Sequence, residues 1–335
     1  MQKILNLMGI LKEIQHKLYR FHRQKIVCEQ FPMLSTFSKK EWIKKKAIGL
    51  VYTLHHITDK NPNGIPTNED LKVSPSFLEK IIQKYKGKGF HFISLDQLSD
   101  IIITGRIPKH PFIAFTIDDG YLDNYTLALP VFERQKVPFA IFVATDFIDK
   151  KAILWWDILE DLILKNDSVI FGGDKYQCQT FQEKWDVFRI IRERILLFNQ
   201  TKIEEKLKEA FSYYDIDWFE PVRRQSMTWE QVKEISQHPL CTIGGHTVSH
   251  LALNKLSDQK FRKEIADGVN KLQSATGKPI QHFAYPYGSP NEIGEREYKL
   301  ISEFNFKTVF TVYGGCITEN NKYQITHLPR VYLHE

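Results

Sequence analysis

The sequence predicts an α/β fold, a parallel sheet built through helical crossovers and either open or closed into a barrel. Two observations carry this. From residue 47 onward, short apolar runs alternate with longer segments of helical spacing, the trace that βα units leave in a chain. Residues suited to chemistry, Asp118-Asp119, His246 and the run YPYG, each follow an apolar run. Such folds collect their active sites there, at the carboxyl ends of strands.

AIGLVYTL, residues 47–54, reads as a short buried strand ending at His55-His56, and NPNGIPTNED as a loop by its Pro, Gly and Asn. SPSFLEKIIQKYKGKGF opens with Ser and Pro in helix-start positions and stops at Gly89. HFISL is then a strand, LDQLSDIIITG a helix, FIAFTI a strand, LDNYTLALPVFERQK a helix and PFAIFVA a strand. Residues 150–225 break the rhythm; LWWDILEDLI and EKWDVFRIIRERILLFNQTKIEEKLKEAF read as a helical insertion or lid. The alternation resumes with TWEQVKEISQ (helix), CTIGGH (strand), DQKFRKEIADGVNKLQSATG (helix), IQHFAYP (strand), EREYKLISEFN (helix) and FKTVFTV (strand).

At 335 residues, with 42% hydrophobic and 26% charged residues, the composition is that of a soluble globular protein. Cys28, Cys178, Cys241 and Cys316 form no CxxC, which suggests neither a disulfide framework nor a cysteine zinc site and fits a reducing compartment. No apolar run is long enough to span a bilayer. Residues 1–46 hold eleven Lys and Arg against three acids, a net of +8. The whole chain is +6, leaving the rest at −2, which argues against a nucleic-acid-binding body. Within residues 1–25, apolar positions 4, 7, 8, 11, 14 and 18 have helical spacing and do not form the unbroken core of a secretory signal. This basic amphipathic N-terminal segment is read as retained. It can lie on an anionic membrane surface or pack on the domain through its Leu and Ile stripe.

Two adjacent carboxylates after a buried strand need compensation, because an unpaired buried carboxylate costs several kcal/mol. HTVSH supplies His246 and His250, four apart, which on a helical turn face one point. With one carboxylate of the pair they make a two-histidine, one-carboxylate set with open positions, suited to Zn and also to Fe, Co or Mn. A bound dication would compensate the acids as well. Each piece alone is ordinary; their conjunction at predicted strand ends points to a site.

TIDDG (116–120), HTVSH (246–250) and AYPY (284–287) together make the sequence resemble the polysaccharide deacetylases of the NodB-homology domain, carbohydrate esterase family 4. Ile117 replaces the Phe of the family's TFDDG, and Ala284 the arginine of its R-x-P-Y. LHHI stands for the usual Tyr-His-x-Val, and PFAIFVATDFI is also similar. The resemblance covers about residues 47–150 and 225–335. It implies a distorted (β/α) barrel, interrupted by the insertion at about 150–225, that removes acetyl from an N-acetylated sugar. By this resemblance Asp119, His246 and His250 hold a divalent metal, zinc foremost, and Asp118 is the general base. The backbone N–H of Tyr287 stabilises the oxyanion, and a general acid protonates the leaving amine.

Arg330, in HLPRVY, is the candidate replacement for the missing arginine. As a residue that orients a base, it is expected to be removable at little cost to the fold. With no clear Leu-x-His motif, His55 is the first candidate for the acid and His327 the second. Trp155 and Trp156 would either form a sugar-stacking wall or anchor the insertion. The expectation is a metal-dependent amide hydrolase acting on a lipid- or nucleotide-linked precursor of a surface polysaccharide. It would be cytoplasmic, with residues 1–25 touching the inner face of the membrane. An O-deacetylase, a deformylase or a catalytically silent glycan-binding or assembly protein are the competing readings.

Overall fold

The computed structural model describes residues 47–335; the expected N-terminal amphipathic helix lies outside the described residues. One sheet contains β1 (Ala47–Leu54), β2 (His91–Phe92), β3 (Phe112–Asp119), β4 (Phe139–Val143), β5 (Cys241–Gly245), β6 (His282–Ala284), β7 (Thr308–Phe310), β8 (Ile317–Thr318) and β9 (Val331–Tyr332). Its order is β7-β6-β5-β4-β3-β1-β8, with β2 beside the start of β3 and β9 on β1. β1 is parallel to β3, β3 to β4, β4 to β5, β5 to β6 and β6 to β7. All eight residues of β3 are buried, as expected of a parallel strand covered on both faces.

The last stretch of chain curls this sheet into a distorted barrel. Val309 N–H donates to Ile325 O at 2.8 Å and Thr311 N–H to Leu328 O at 2.9 Å. Three residues further on, Val331 of β9 pairs with Tyr52 of β1. Residues 325–333 thus tie β7 back to β1.

The crossover helices are α1 (Pro75–Gly87), α2 (Leu95–Thr104), α3 (Leu129–Gln135), α4 (Trp155–Lys165), α5 (Phe181–Leu196), α6 (Ile203–Ala210), α7 (Glu220–Gln225), α8 (Trp229–Gln237), α9 (Asp258–Thr276) and α10 (Glu295–Ile301). Their starts follow from the sequence: Ser94 and Gln97 form a capping box on α2, and Thr228 and Gln231 one on α8. Before α3 the chain makes a wide π turn at Asn124–Ala128, just ahead of Pro130, which has no N–H to donate.

Between β4 and α8, α4 to α7 form the insertion. It has an apolar cluster of its own, with Trp155, Leu159, Phe171, Phe188 and Phe211 joined by Ile65 from the barrel. The insertion is not wholly helical, because Ser168–Phe171 and Asp174–Gln177 pair as an antiparallel hairpin. Gly172 and Gly173 take φ 60° and 84°, the left-handed pair that a two-residue hairpin turn demands. No helix among the described residues is long and apolar enough to cross a membrane.

Candidate active site

β3 runs two residues past its apolar stretch. Asp118 pairs with Phe142 and Asp119 with Val143 in the β3–β4 ladder, so the acids belong to the strand end and do not follow it. Asp118 is 2% exposed and Asp119 3%, and each is compensated differently.

Asp119 faces two imidazoles. Its Oδ1 lies 3.3 Å from His246 Nε2 and 3.2 Å from His250 Nε2. That oxygen has no hydrogen-bond partner, and neither has His250 Nδ1. Ligand atoms bound at about 2.0–2.1 Å around a tetrahedral zinc stand roughly 3.3 Å apart, so the three residues fit a metal ion. His246 is already oriented for that task. Its Nδ1 is 2.8 Å from the carbonyl oxygen of Ala284, which can only accept, so Nδ1 carries the proton and Nε2 keeps its lone pair.

The two histidines are not on a helical turn. After β5 the chain forms a loop in which Thr247 and His250 take φ 68° and 54°. Glu264 of α9 pins it, accepting from the N–H of Val248 at 3.1 Å and of Ser249 at 2.9 Å. Asp119 (φ 77°) and Tyr287 (φ 59°) are left-handed as well. Four of the seven non-glycine residues with positive φ among the described residues are therefore at this one place, where backbone strain commonly serves a site.

Asp118 is compensated by Arg330. The guanidinium donates to Oδ1 at 2.7 Å and Oδ2 at 2.8 Å, and also to Thr116 Oγ1 and the Thr311 carbonyl. Arg330 is 0% exposed. Burial would push the Asp118 carboxyl up, but the charge of Arg330, helped by His246, outweighs it and holds the carboxyl below its usual range. The guanidinium lies over the rings of Phe142 and Phe310, members of the same apolar cluster as Ala284. A small residue at 284 leaves this space to the arginine arriving from residue 330.

His55, at the end of β1, joins the group. Its ring stacks on Tyr332 at 5.9 Å, and its Nδ1 has no partner. Burial lowers its pKa, while the charges of Asp119 and Asp118 oppose the shift. Tyr287 places its ring 4.9 Å from His250. His327 is placed elsewhere, stacked on Tyr298 and beside Thr326. Trp155 is buried in the insertion core and Trp156 packs against it, with the Trp156 ring 5.7 Å from that of His250. Beside Trp156, Asp157 is pushed up to about 6 by burial, against the pull of His56.

Sequence reading missed Thr116, Thr311, Glu264, Tyr332 and Phe147, whose ring lies 5.9 Å from that of His250. Tyr332 had a signal, since it lies two residues from Arg330 and shares its face of an extended chain. Glu264 had none.

A parallel barrel with a largely buried Asp-His-His group and a clamped second aspartate at its strand ends defines an α/β protein with a ready metal-binding group. Residues 105–309 match the family model described as polysaccharide deacetylase; that is more than half of the chain, and the protein belongs to this family. Over 291 residues it is 21% identical to YxkH of Bacillus subtilis (strain 168), which carries the name of a polysaccharide deacetylase; the match spans 87% of this chain and 74% of that one. Among solved structures, Streptococcus pyogenes deacetylase PplD in complex with acetate is similar with a TM-score of 0.58 at 17% identity, over 85% of this chain and 92% of that one. IcaB from Ammonifex degensii gives 0.56 at 17%, over 86% and 92%. At these identities the likeness is one of fold.

Proposed function

We propose that the protein is a metal-dependent N-deacetylase that releases acetate from an N-acetylated sugar. The observation that carries this reading is the pairing at one barrel mouth of the Asp119–His246–His250 group with a carboxylate, Asp118, kept ionised by the Arg330 fork. A divalent ion held by the three ligands, zinc foremost, supplies Lewis acidity at the acetamide carbonyl. Asp118 takes the proton of the attacking water through Oδ1, which keeps a lone pair beyond the one given to Arg330, whereas Oδ2 also accepts from the Thr53 hydroxyl at 3.4 Å. Arg330 fixes the direction of that lone pair. The N–H of Tyr287 donates to the developing oxyanion, and His55 delivers a proton to the departing amine. The substrate is a lipid- or nucleotide-linked precursor of a surface polysaccharide, a choice supported by the +8 charge of residues 1–46, which favours an anionic membrane surface.

The test is metal analysis of the purified protein together with acetate release from N-acetyl sugar nucleotides, lipid-linked sugars and oligosaccharides. His246→Ala and Asp119→Ala are expected to lose metal and activity, and Asp118→Asn to keep metal and lose turnover. Unchanged metal content in the first two variants overturns the ligand set; no acetate from any substrate with the metal-loaded protein overturns the activity.

A further inference from the structure

Two neighbours in the chain, Asp123 and Asn124, hold the two residues that follow β1. Asn124 is 0% exposed. Its Nδ2 donates to the carbonyl oxygen of His55 at 2.8 Å and to Asp123 Oδ1 at 2.8 Å. The other carboxylate oxygen of Asp123 accepts from His56 Nδ1 at 2.7 Å, and the His56 ring lies 3.7 Å from that of Tyr121. One bridge thus runs from the main chain of His55, through Asn124 and Asp123, to the side chain of His56. Asn124 also opens the π turn ahead of α3, its own carbonyl accepting from the N–H of Leu129, and such wide turns recur at functional sites.

For the fold alone the amide is a costly choice. Asn124 Oδ1 has no hydrogen-bond partner among the described residues, and a buried acceptor left bare costs about 1–3 kcal/mol. Turning the amide over brings no relief, because Oδ1 would then face two oxygens, those of His55 and Asp123. An apolar side chain would fill the place without that loss, but it could not hold the His55 carbonyl. His55 depends on being held there. Its ring has no hydrogen bond at Nδ1 and stacks on Tyr332, so the direction of the imidazole follows from where its backbone is fixed.

We infer that Asn124, steadied by Asp123, is a positioning residue for His55: it fixes the backbone from which the imidazole reaches the departing amine. This rests on the function proposed above, in which His55 delivers that proton. His56 braces the carboxylate that in turn steadies the amide.

The experiment compares kcat and KM of the metal-loaded full-length protein on a neutral N-acetylglucosamine oligosaccharide and on 4-nitrophenyl acetate, whose leaving group needs no proton. Asn124→Leu keeps the branch at Cγ and removes both donors. It is expected to lower kcat on the N-acetyl sugar about 10–100-fold, the effect of a small misplacement, with KM and metal content unchanged, and to slow aryl acetate hydrolysis far less. In a His55→Ala background the same substitution should add nothing. Equal losses on the two substrates, or a full further loss in the His55→Ala background, overturn the inference. Asp123→Asn leaves the amide of Asn124 in place and weakens its support; it should show the same pattern at smaller size, and it carries the test if Asn124→Leu does not fold. If the oligosaccharide releases no acetate, or if His55→Ala loses both activities equally, the functional reading fails separately. The NMR ring signal of His55, identified by its absence from His55→Ala, then decides the role of Asn124. A shifted signal in Asn124→Leu, with those of His282 and His327 unmoved, upholds it, and an unchanged signal overturns it.

Discussion

Replacing Arg330 by methionine should unfold the protein far more readily, reversing the expectation that a base-orienting arginine is dispensable to the fold. Arg330 is 0% exposed and Asp118 2%, so the substitution leaves a buried carboxylate without its counter-charge. It also strips the Thr311 carbonyl and Thr116 hydroxyl of a donor. Breaking a buried ion pair from one side costs about 3–5 kcal/mol. For a domain of this size each kcal/mol moves the melting temperature by roughly 2–4 °C, so a fall of roughly 10 °C is expected.

Urea midpoints for the native protein, Arg330→Met, Asp118→Asn and the double variant close a mutant cycle. Because Asp118→Asn removes the stranded charge, the double variant should be about 2 kcal/mol more stable than the two single losses added together. Arg330→Lys should fall between native and Arg330→Met, since one ammonium cannot fork both carboxylate oxygens. A loss below about 1 kcal/mol in Arg330→Met, or strict additivity, would refute the argument.

Asp157 tests burial by pH. Its carboxyl is pushed up to about 6 in the folded protein, so the ionised form costs stability. That cost sets in above the unfolded pKa and is complete above the folded one. Asp157→Asn should therefore stabilise the protein at pH 7.5 by about 1–2 kcal/mol, with the gain fading as the pH falls from about 6 to about 4; a constant difference across that window rules this out. Glu264→Gln should loosen the loop between the two histidines and weaken metal affinity about 10–100-fold in a chelator competition, and unchanged affinity would show that the loop holds itself. His55→Ala should slow release of acetate from an N-acetyl sugar about 10²–10⁴-fold but slow aryl acetate hydrolysis far less, because an aryloxide leaves without a proton. Equal losses on the two substrates would assign His55 to positioning.

The alternation of βα units and the helix that opens at TWEQVKEISQ were legible in the sequence, because capping chemistry and hydrophobic period are local properties. So was the grouping of Asp119 with the two histidines of HTVSH, which the structure brings together. Where His250 points was not legible: a helical turn and the observed loop with Thr247 and His250 left-handed place the same letters four apart. What separates them is Glu264, sixteen residues away from Val248, bonding the loop's amides. The hairpin at residues 168–177 had its signal in Gly172-Gly173, hidden within a segment read by its helical neighbours. The burial of Arg330 belonged to the tertiary structure alone. Residue 330 is 212 positions from Asp118, and only the return of residues 325–333 from β7 to β1 brings it across the barrel. Local sequence fixes which backbone a segment prefers; the compensation of a buried charge depends on which distant segment arrives beside it, and that is decided when the sheet closes.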